Sequence, residues 1–317
     1  MSEALLLLVM LGATGVMALI HRARVHPGIV IVVIAGAISF VPAMPRFEIE
    51  PGLILGLVMP PLLYSAALHF SVSSFGRHFR TIFVFGVGLV VVTTFAIGYL
   101  TLYLVPSLGL ASALLLGGVI SPPDTVTTVT HGREIGLPRR VIAILTGESL
   151  INDAAALTIF TLTIAAVDGR EAFIANPLLF FAYGALIGAL VGMALGAIVS
   201  AVRARLSDPT LETTLSLLVP FTAFLVAEQL HASGVIAVVA AGFLGSINSV
   251  YGTREAVSPT AYITRIQERA LWPVVDTVLE AFVFAYIGLQ LRFVLDDLRE
   301  SGESFWRTVG IGLLVLV

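Results

Sequence analysis

Long apolar runs dominate the chain and are cut at intervals by charge, proline or glycine. About 20 apolar residues cross the roughly 30 Å hydrocarbon core of a bilayer as a helix, so each run predicts a membrane span. Ten are bounded at both ends: Ala4–Ile20, Pro27–Val41, Pro51–Phe70, Thr81–Val105, Leu108–Thr130, Pro138–Val167, Pro177–Val202, Leu211–Leu230, Gly234–Val250 and Leu271–Leu295. An eleventh opens near Phe305 and is still apolar at Val317, which predicts a natural protein that continues past that residue. The first run has no basic segment before it and is long for a signal-peptide core, so it reads as a retained helix.

The sixth run breaks the pattern. Gly147-Glu148-Ser149-Leu150-Ile151-Asn152-Asp153 puts two carboxylates, an amide and a hydroxyl inside an apolar stretch. Each ionisable group costs roughly 2.5–3.5 kcal/mol at the centre of a membrane helix. Glu148 and Asn152 are four apart, as are Ser149 and Asp153, so all four share one broad helix face. That face should line a water-filled cavity or meet another polar helix. The same cluster can also serve as polar glue between helices.

The fifth run is interrupted by Ser121-Pro122-Pro123-Asp124-Thr125. Two successive prolines remove two backbone donors and clash with the preceding turn, so the helix should unwind there. Broken backbone at membrane depth is tolerated where it lines a cavity or is buried in protein, and discontinuous helices of this kind bind ions in secondary transporters. A plain proline kink with Asp124 capping the second half-helix is a compatible reading. The short connection makes the fifth and sixth spans antiparallel neighbours. At 1.5 Å per residue, Asp124 lies about 10 Å and Asp153 about 20 Å from the loop that joins them.

Composition agrees. The chain has 317 residues, 58% of them hydrophobic and 12% charged, against about 25% charged in a soluble domain. This predicts an all-α polytopic membrane protein with no soluble domain. The net charge of −3 and the absence of a basic stretch predict no nucleic-acid surface. There is no cysteine, which excludes disulfides, thiolate metal sites and cysteine nucleophiles. All 17 basic residues are arginine, and 12 of them follow odd-numbered spans. The positive-inside bias therefore puts the loop His131–Arg140 in the cytoplasm and the N-terminus outside. Other intramembrane polar groups are weaker signals: Ser65 and His69 in the third span, Glu228 and His231 ending the eighth, Asp276 and Glu280 in the tenth. Gly184, Gly188, Gly192 and Gly196, each four apart, predict close packing of the seventh span on a neighbour. No Walker loop, GxSxG or HExxH motif is present.

These motifs resemble the monovalent cation:proton antiporter family 1, the sodium/proton antiporters and exchangers. Ser121-Pro122-Pro123-Asp124 resembles its helix breakpoint, and Gly147 to Asp153 matches its glycine-glutamate-serine…asparagine-aspartate run on the next helix. Met59-Pro60-Pro61-Leu62-Leu63-Tyr64-Ser65-Ala66-Ala67-Leu68 is similar to its third-helix motif. His231-Ala232-Ser233-Gly234-Val235-Ile236-Ala237-Val238 and Ile287-Gly288-Leu289-Gln290-Leu291 look like two more. The resemblance runs in order over nearly the whole chain.

The resemblance implies a single transmembrane transporter domain, residues 1–317, with an antiporter fold, inverted repeats and a discontinuous helix. Residues 1–80 and 211–295 would form a dimerisation bundle, 81–167 the core bundle, 177–202 a linking helix and 305–317 the start of a second core repeat. It implies a plasma or inner membrane homodimer that is not an enzyme. It needs no cofactor beyond the transported sodium ion and proton, and its partners are monovalent cations, protons and the lipid bilayer. Asp153 would bind the cation or the proton, with Asp124, Ser149 and Asn152 completing or shaping the site; for sodium the direct ligands would be Asp153, Asp124 and Ser149. Glu148 would be a structural charge partner of an arginine on the eleventh helix. Ser65 stands where many members have a glutamate, Pro123 where they often have a threonine and Thr125 where they often have a proline, and these departures bear on ion selectivity. The expected activity is sodium/proton exchange, with lithium or potassium as further cations, by alternating access at Asp153. Asn152 carries no proton, so one titrating carboxylate predicts electroneutral exchange. A potassium/proton antiporter has the same parts. An intramembrane aspartyl enzyme would need its two aspartates to share a proton, and a non-transporting sensor would bind sodium without moving it.

Overall fold

The computed structural model describes residues 3–20, 27–41, 46, 50–123, 132, 135–167, 169, 174, 176–251, 259–300 and 305–316. Among them every regular element is helical: α1 (Glu3–Ile20), α2 (Pro27–Ser39), α3 (Pro51–His69), α4 (Val72–Phe83), a π-helical turn (Val84–Leu89), α5 (Val90–Leu104), a 3-10 turn (Pro106–Leu108), α6 (Gly109–Ile120), α7 (Arg139–Val167), α8 (Pro177–Arg203), α9 (Pro209–Gln229), α10 (Gly234–Tyr251), α11 (Pro259–Glu300) and α12 (Phe305–Leu316). Six helical stretches among the described residues are long and apolar enough to cross a membrane. In lipid a backbone polar group has no water to bond, so a chain this apolar satisfies itself as helices.

Local chemistry sets several helix starts. The Asn176 Oδ1 accepts from the amides of Leu178 and Leu179 at 2.9 and 3.2 Å, with Pro177 in the first helical position of α8. Asp208 accepts from Thr210 at 2.8 Å, with Pro209 opening α9 in the same way. Two helices outrun the apolar pattern. The fourth span, expected from Thr81, begins at Val72, because Ser71 accepts from the Ser74 amide and caps a charged turn that hydropathy alone assigns to a loop. The tenth, expected over Leu271–Leu295, runs from Pro259 to Glu300.

The chain divides into two compact units. The first comprises residues 1–58 and 269–314. Its core joins Ala13, Ile31, Ala281 and Ala285. Gly288 of α11 packs against α2 so closely that a Cβ there would lie 2.6 Å from the Ala35 Cβ. At the end of α11 the charges pair: Arg46 donates twice to Asp297, at 3.0 and 2.8 Å, and Arg292 lies 3.4 Å from Asp296. Arg46 and Arg292, two of the five arginines that do not follow odd-numbered spans, are thus paired with carboxylates.

The second unit, residues 59–268 with 315–317, holds the polar anomalies. The glycine stripe of α8 packs on α10 as expected. A Cβ on Gly188 or Gly192 would overlap the carbonyls of Ser233 or Ala237, and the Ser233 amide donates to the Gly184 carbonyl at 3.1 Å. Arg203 ends α8 buried against Glu268, and donates to the Glu212 carbonyl at 3.0 Å. Thr264 donates to the Glu212 carboxylate at 3.1 Å, which fastens α8, α9 and α11 through charge-assisted bonds.

Candidate functional site

The helix break is where the prolines place it. The α6 helix ends at Ile120, the Ser121 amide closes its last bond on Gly117 at 3.0 Å, and Pro122 and Pro123 carry no amide hydrogen to continue. The Ser121 hydroxyl donates to the Gly118 carbonyl at 3.2 Å and accepts from the Thr94 hydroxyl of α5 at 3.1 Å. Asp124 and the rest of the fifth span to Thr130 lie outside the described residues.

Across from the break runs α7, unbroken from Arg139 to Val167. The Asn152 side chain is 1% exposed, and its Nδ2 donates to the Pro123 carbonyl at 3.1 Å. A carbonyl only accepts, so this bond fixes the amide's orientation and turns Oδ1 the other way, where it is buried with no hydrogen-bond partner among the described residues. Glu148 is buried one turn earlier. Ser149 and Asp153 are partly buried on the same side of α7. The structure thus joins Asn152 to the prolines and lines Glu148, Ser149 and Asp153 along one helix. Ser65 is buried on α3, where its carbonyl bonds His69 Nδ1 at 2.7 Å, and it is not part of the Asn152–Pro123 contact.

Small residues bring the backbones together here. A Cβ on Gly147 would overlap Ile82 of α4, and one on Gly86 would press on the Glu148 carbonyl and Ile151. Gly86 belongs to the π-helical turn between α4 and α5, a geometry that recurs at functional sites. Gly117 meets the Thr94 carbonyl just as tightly. Toward the far end of α7, a groove of about 500 Å³ is lined by Leu157, Thr158 and Thr161, with Glu228 and His231 beyond. The Glu228 carboxylate accepts from the Gly234 amide at 3.3 Å and so caps α10.

The family model described as "Sodium/hydrogen exchanger, transmembrane" matches residues 6–317. The chain belongs to this sodium/hydrogen exchanger family. An uncharacterised Na⁺/H⁺ exchanger of Mycobacterium tuberculosis is 30% identical over 300 residues, covering 93% of this chain and 53% of that protein. A sodium, potassium, lithium and rubidium/H⁺ antiporter of Bacillus subtilis is 26% identical over 265 residues, covering 82% of this chain and 39% of the relative. This exchanger chain therefore spans about half the length, or less, of these curated relatives. Two structures of the sodium proton antiporter MjNhaP1 from Methanocaldococcus jannaschii share the fold, with TM-scores of 0.66 and 0.69 at 17% and 19% identity. They are matched over 90% and 91% of this chain and 69% of theirs. The fold is accordingly the all-α antiporter fold, and the family is one of membrane transporters, not enzymes.

Sequence reasoning missed three parts of the candidate site region. Thr94 was one polar residue in an apolar span, Gly86 and Gly88 carried no polar signal, and nothing marked Ile82 as the partner of Gly147. A pair of glycines two apart within the Thr81–Val105 run was the available hint.

Proposed function

We propose that the full-length protein exchanges sodium for protons across the membrane, with Asp153 as the shared carrier. The observation that carries this reading is the Asn152–Pro123 bond, which holds a proline-broken helix end against the polar face of α7 and leaves a buried amide oxygen without a partner among the described residues. Freed backbone carbonyls beside a carboxylate are the elements of an ion site in discontinuous transporter helices.

In this reading Asp153 holds either a dehydrated cation or a proton. Asp124 and Ser149 complete the cation's oxygen shell, and Asn152 shapes it by fixing the break. A bare ionised carboxylate is costly in the membrane interior, so the empty site does not cross and the two fluxes are coupled. Glu148, buried beside Gly147, is structural. The groove toward Glu228 gives water and ions an outer approach along the α7 face. Residues 1–80 and 211–295 form the dimerisation bundle of a homodimer, 81–167 the core bundle and 305–317 the start of its repeat, in a plasma membrane protein whose N-terminus faces out. The Bacillus relative's cation range makes lithium and potassium secondary candidates.

The test is dequenching of a pH dye in everted vesicles carrying the full-length protein, over a panel of sodium, lithium and potassium. Sodium should dequench at the lowest concentration. Asp153→Asn should abolish exchange at normal expression, since a neutral amide neither carries the proton nor balances the cation. Asp124→Asn should be severely impaired. Wild-type exchange in Asp153→Asn would remove that residue from the mechanism, and a response to potassium alone would exchange one cation for another in the reading.

A further inference from the structure

We infer that the exposed cationic face of α4, with the start of α7, is a binding site for anionic phospholipid headgroups on the arginine-rich side of the membrane. The inference rests on the membrane-spanning reading of these helices and not on the exchange activity.

The continuous helical run Val72–Leu104 has 33 residues. At 1.5 Å per residue it is about 50 Å long, well over the roughly 30 Å hydrocarbon core. From Thr81 to Leu104 it carries no charge and fills that core alone. The surplus is the first turns of α4, which therefore stand at headgroup level. They are strongly two-faced. Phe75 and Ile82 look inward, Phe75 packing at a tilt on Phe243 with 4.9 Å between ring centres and Ile82 seated on Gly147. Arg77 and Arg80 point away from them and are exposed. An amphipathic helix with a basic polar face and large apolar side chains opposite is the form that lies against a charged membrane surface.

The start of α7 adds to the same patch. Ile82 meets Gly147 and Gly86 meets Ile151, two contacts with one sequence offset, so α4 and α7 run parallel side by side. Carried back along that register, Arg139 and Arg140 come level with the first turn of α4, and both are exposed. Among the described residues no carboxylate lies within ion-pair distance of Arg77, Arg80, Arg139 or Arg140. Among the described residues Arg77 bonds only the Ser73 carbonyl, through Nε at 3.3 Å, and its other nitrogens have no partner there. At the far end of α11, by contrast, arginines pair with aspartates. Four guanidiniums at the interface, with no carboxylate partner among the described residues, complement phosphate oxygens, which arginine binds in a bidentate fork.

The absence of cysteine allows a direct test. A Cβ at Gly76 meets nothing within 4 Å, so Gly76→Cys takes a fluorescent donor beside Arg77. The labelled protein goes into phosphatidylcholine bilayers with a small fixed fraction of acyl-tagged acceptor lipid, either phosphatidylglycerol or phosphatidylcholine. Energy transfer should be several-fold higher to the anionic acceptor. Arg77→Gln with Arg80→Gln should bring that preference close to one, whereas lysine at both positions should retain it. Raising the salt concentration should weaken it in the unsubstituted arginine protein, a readout independent of how any variant folds. Equal transfer to both acceptors, or an unchanged preference in the glutamine double variant, would overturn the site. Loss of the preference on adding inorganic phosphate at constant ionic strength would assign the patch to a free anion and overturn the lipid assignment.

Discussion

Asn152→Ala is the sharpest perturbation of the proposed site. The side chain is 1% exposed, and its one hydrogen bond among the described residues runs from Nδ2 to the Pro123 carbonyl. Truncation leaves that carbonyl without its partner, at a cost of about 1–3 kcal/mol. Because 1.4 kcal/mol is tenfold, the segment after Ser121 would spread over alternatives by a factor of roughly 5 to 150. Only conformers with the carbonyl in place bind the cation as proposed, so the apparent affinity falls with the competent fraction. The sodium concentration for half-maximal dequenching in everted vesicles should rise within that range in the full-length protein. Asn152→Asp is the companion. It keeps an oxygen at Oδ1 but sets a second acceptor against the Pro123 carbonyl, so it should also raise the half-maximal concentration. A wild-type sodium response in Asn152→Ala would refute the tether. A wild-type response in Asn152→Asp alone would show that the acceptor matters and the donor does not.

Three further outcomes are expected. Gly192→Ala should lower stability in detergent by about 1–3 kcal/mol, because its Cβ would overlap the Ala237 carbonyl, whereas Gly15→Ala in open space should change thermal unfolding little or raise it slightly. In intact cells an impermeant maleimide should label Ser107→Cys, in the exposed 3-10 turn, and not Arg205→Cys, at the exposed end of α8; the reverse pattern would invert the topology while leaving the fold untouched. In proteoliposomes of the full-length protein clamped with potassium and valinomycin, sodium uptake should stop where sodium and proton gradients balance one to one at every voltage. A second transported charge would shift that balance by about 2.3 kcal/mol per 100 mV and would point to Asp124.

Much of the architecture was legible in the residues. Apolar runs of sufficient length specify helices, because lipid offers an unpaired backbone group nothing to bond. The prolines located the break, since they lack the amide that the next turn requires. The glycine stripe of α8 announced close packing, and α10 supplies the partner. Helix ends were less legible. Hydropathy stops where the hydrocarbon stops, so the charged first turns of α4 and both ends of α11 read as loops although their caps and backbone bonds continue the helix.

The chain by itself determined that Glu148, Ser149, Asn152 and Asp153 share a helix face and that a broken helix precedes them. This follows from helical spacing and the chemistry of proline, both local. Which atoms meet was decided by tertiary packing alone. Asn152 could have faced any neighbour, and only the approach of α6 to α7 puts the Pro123 carbonyl 3.1 Å from its amide. Thr94 gains a role only because Gly117 lets α5 close on α6, and Gly147 only because Ile82 fills the space it leaves. Such contacts join residues far apart in the chain. Their identity depends on which backbones approach within a side chain's reach, a property of the packed helices that no single stretch of sequence carries.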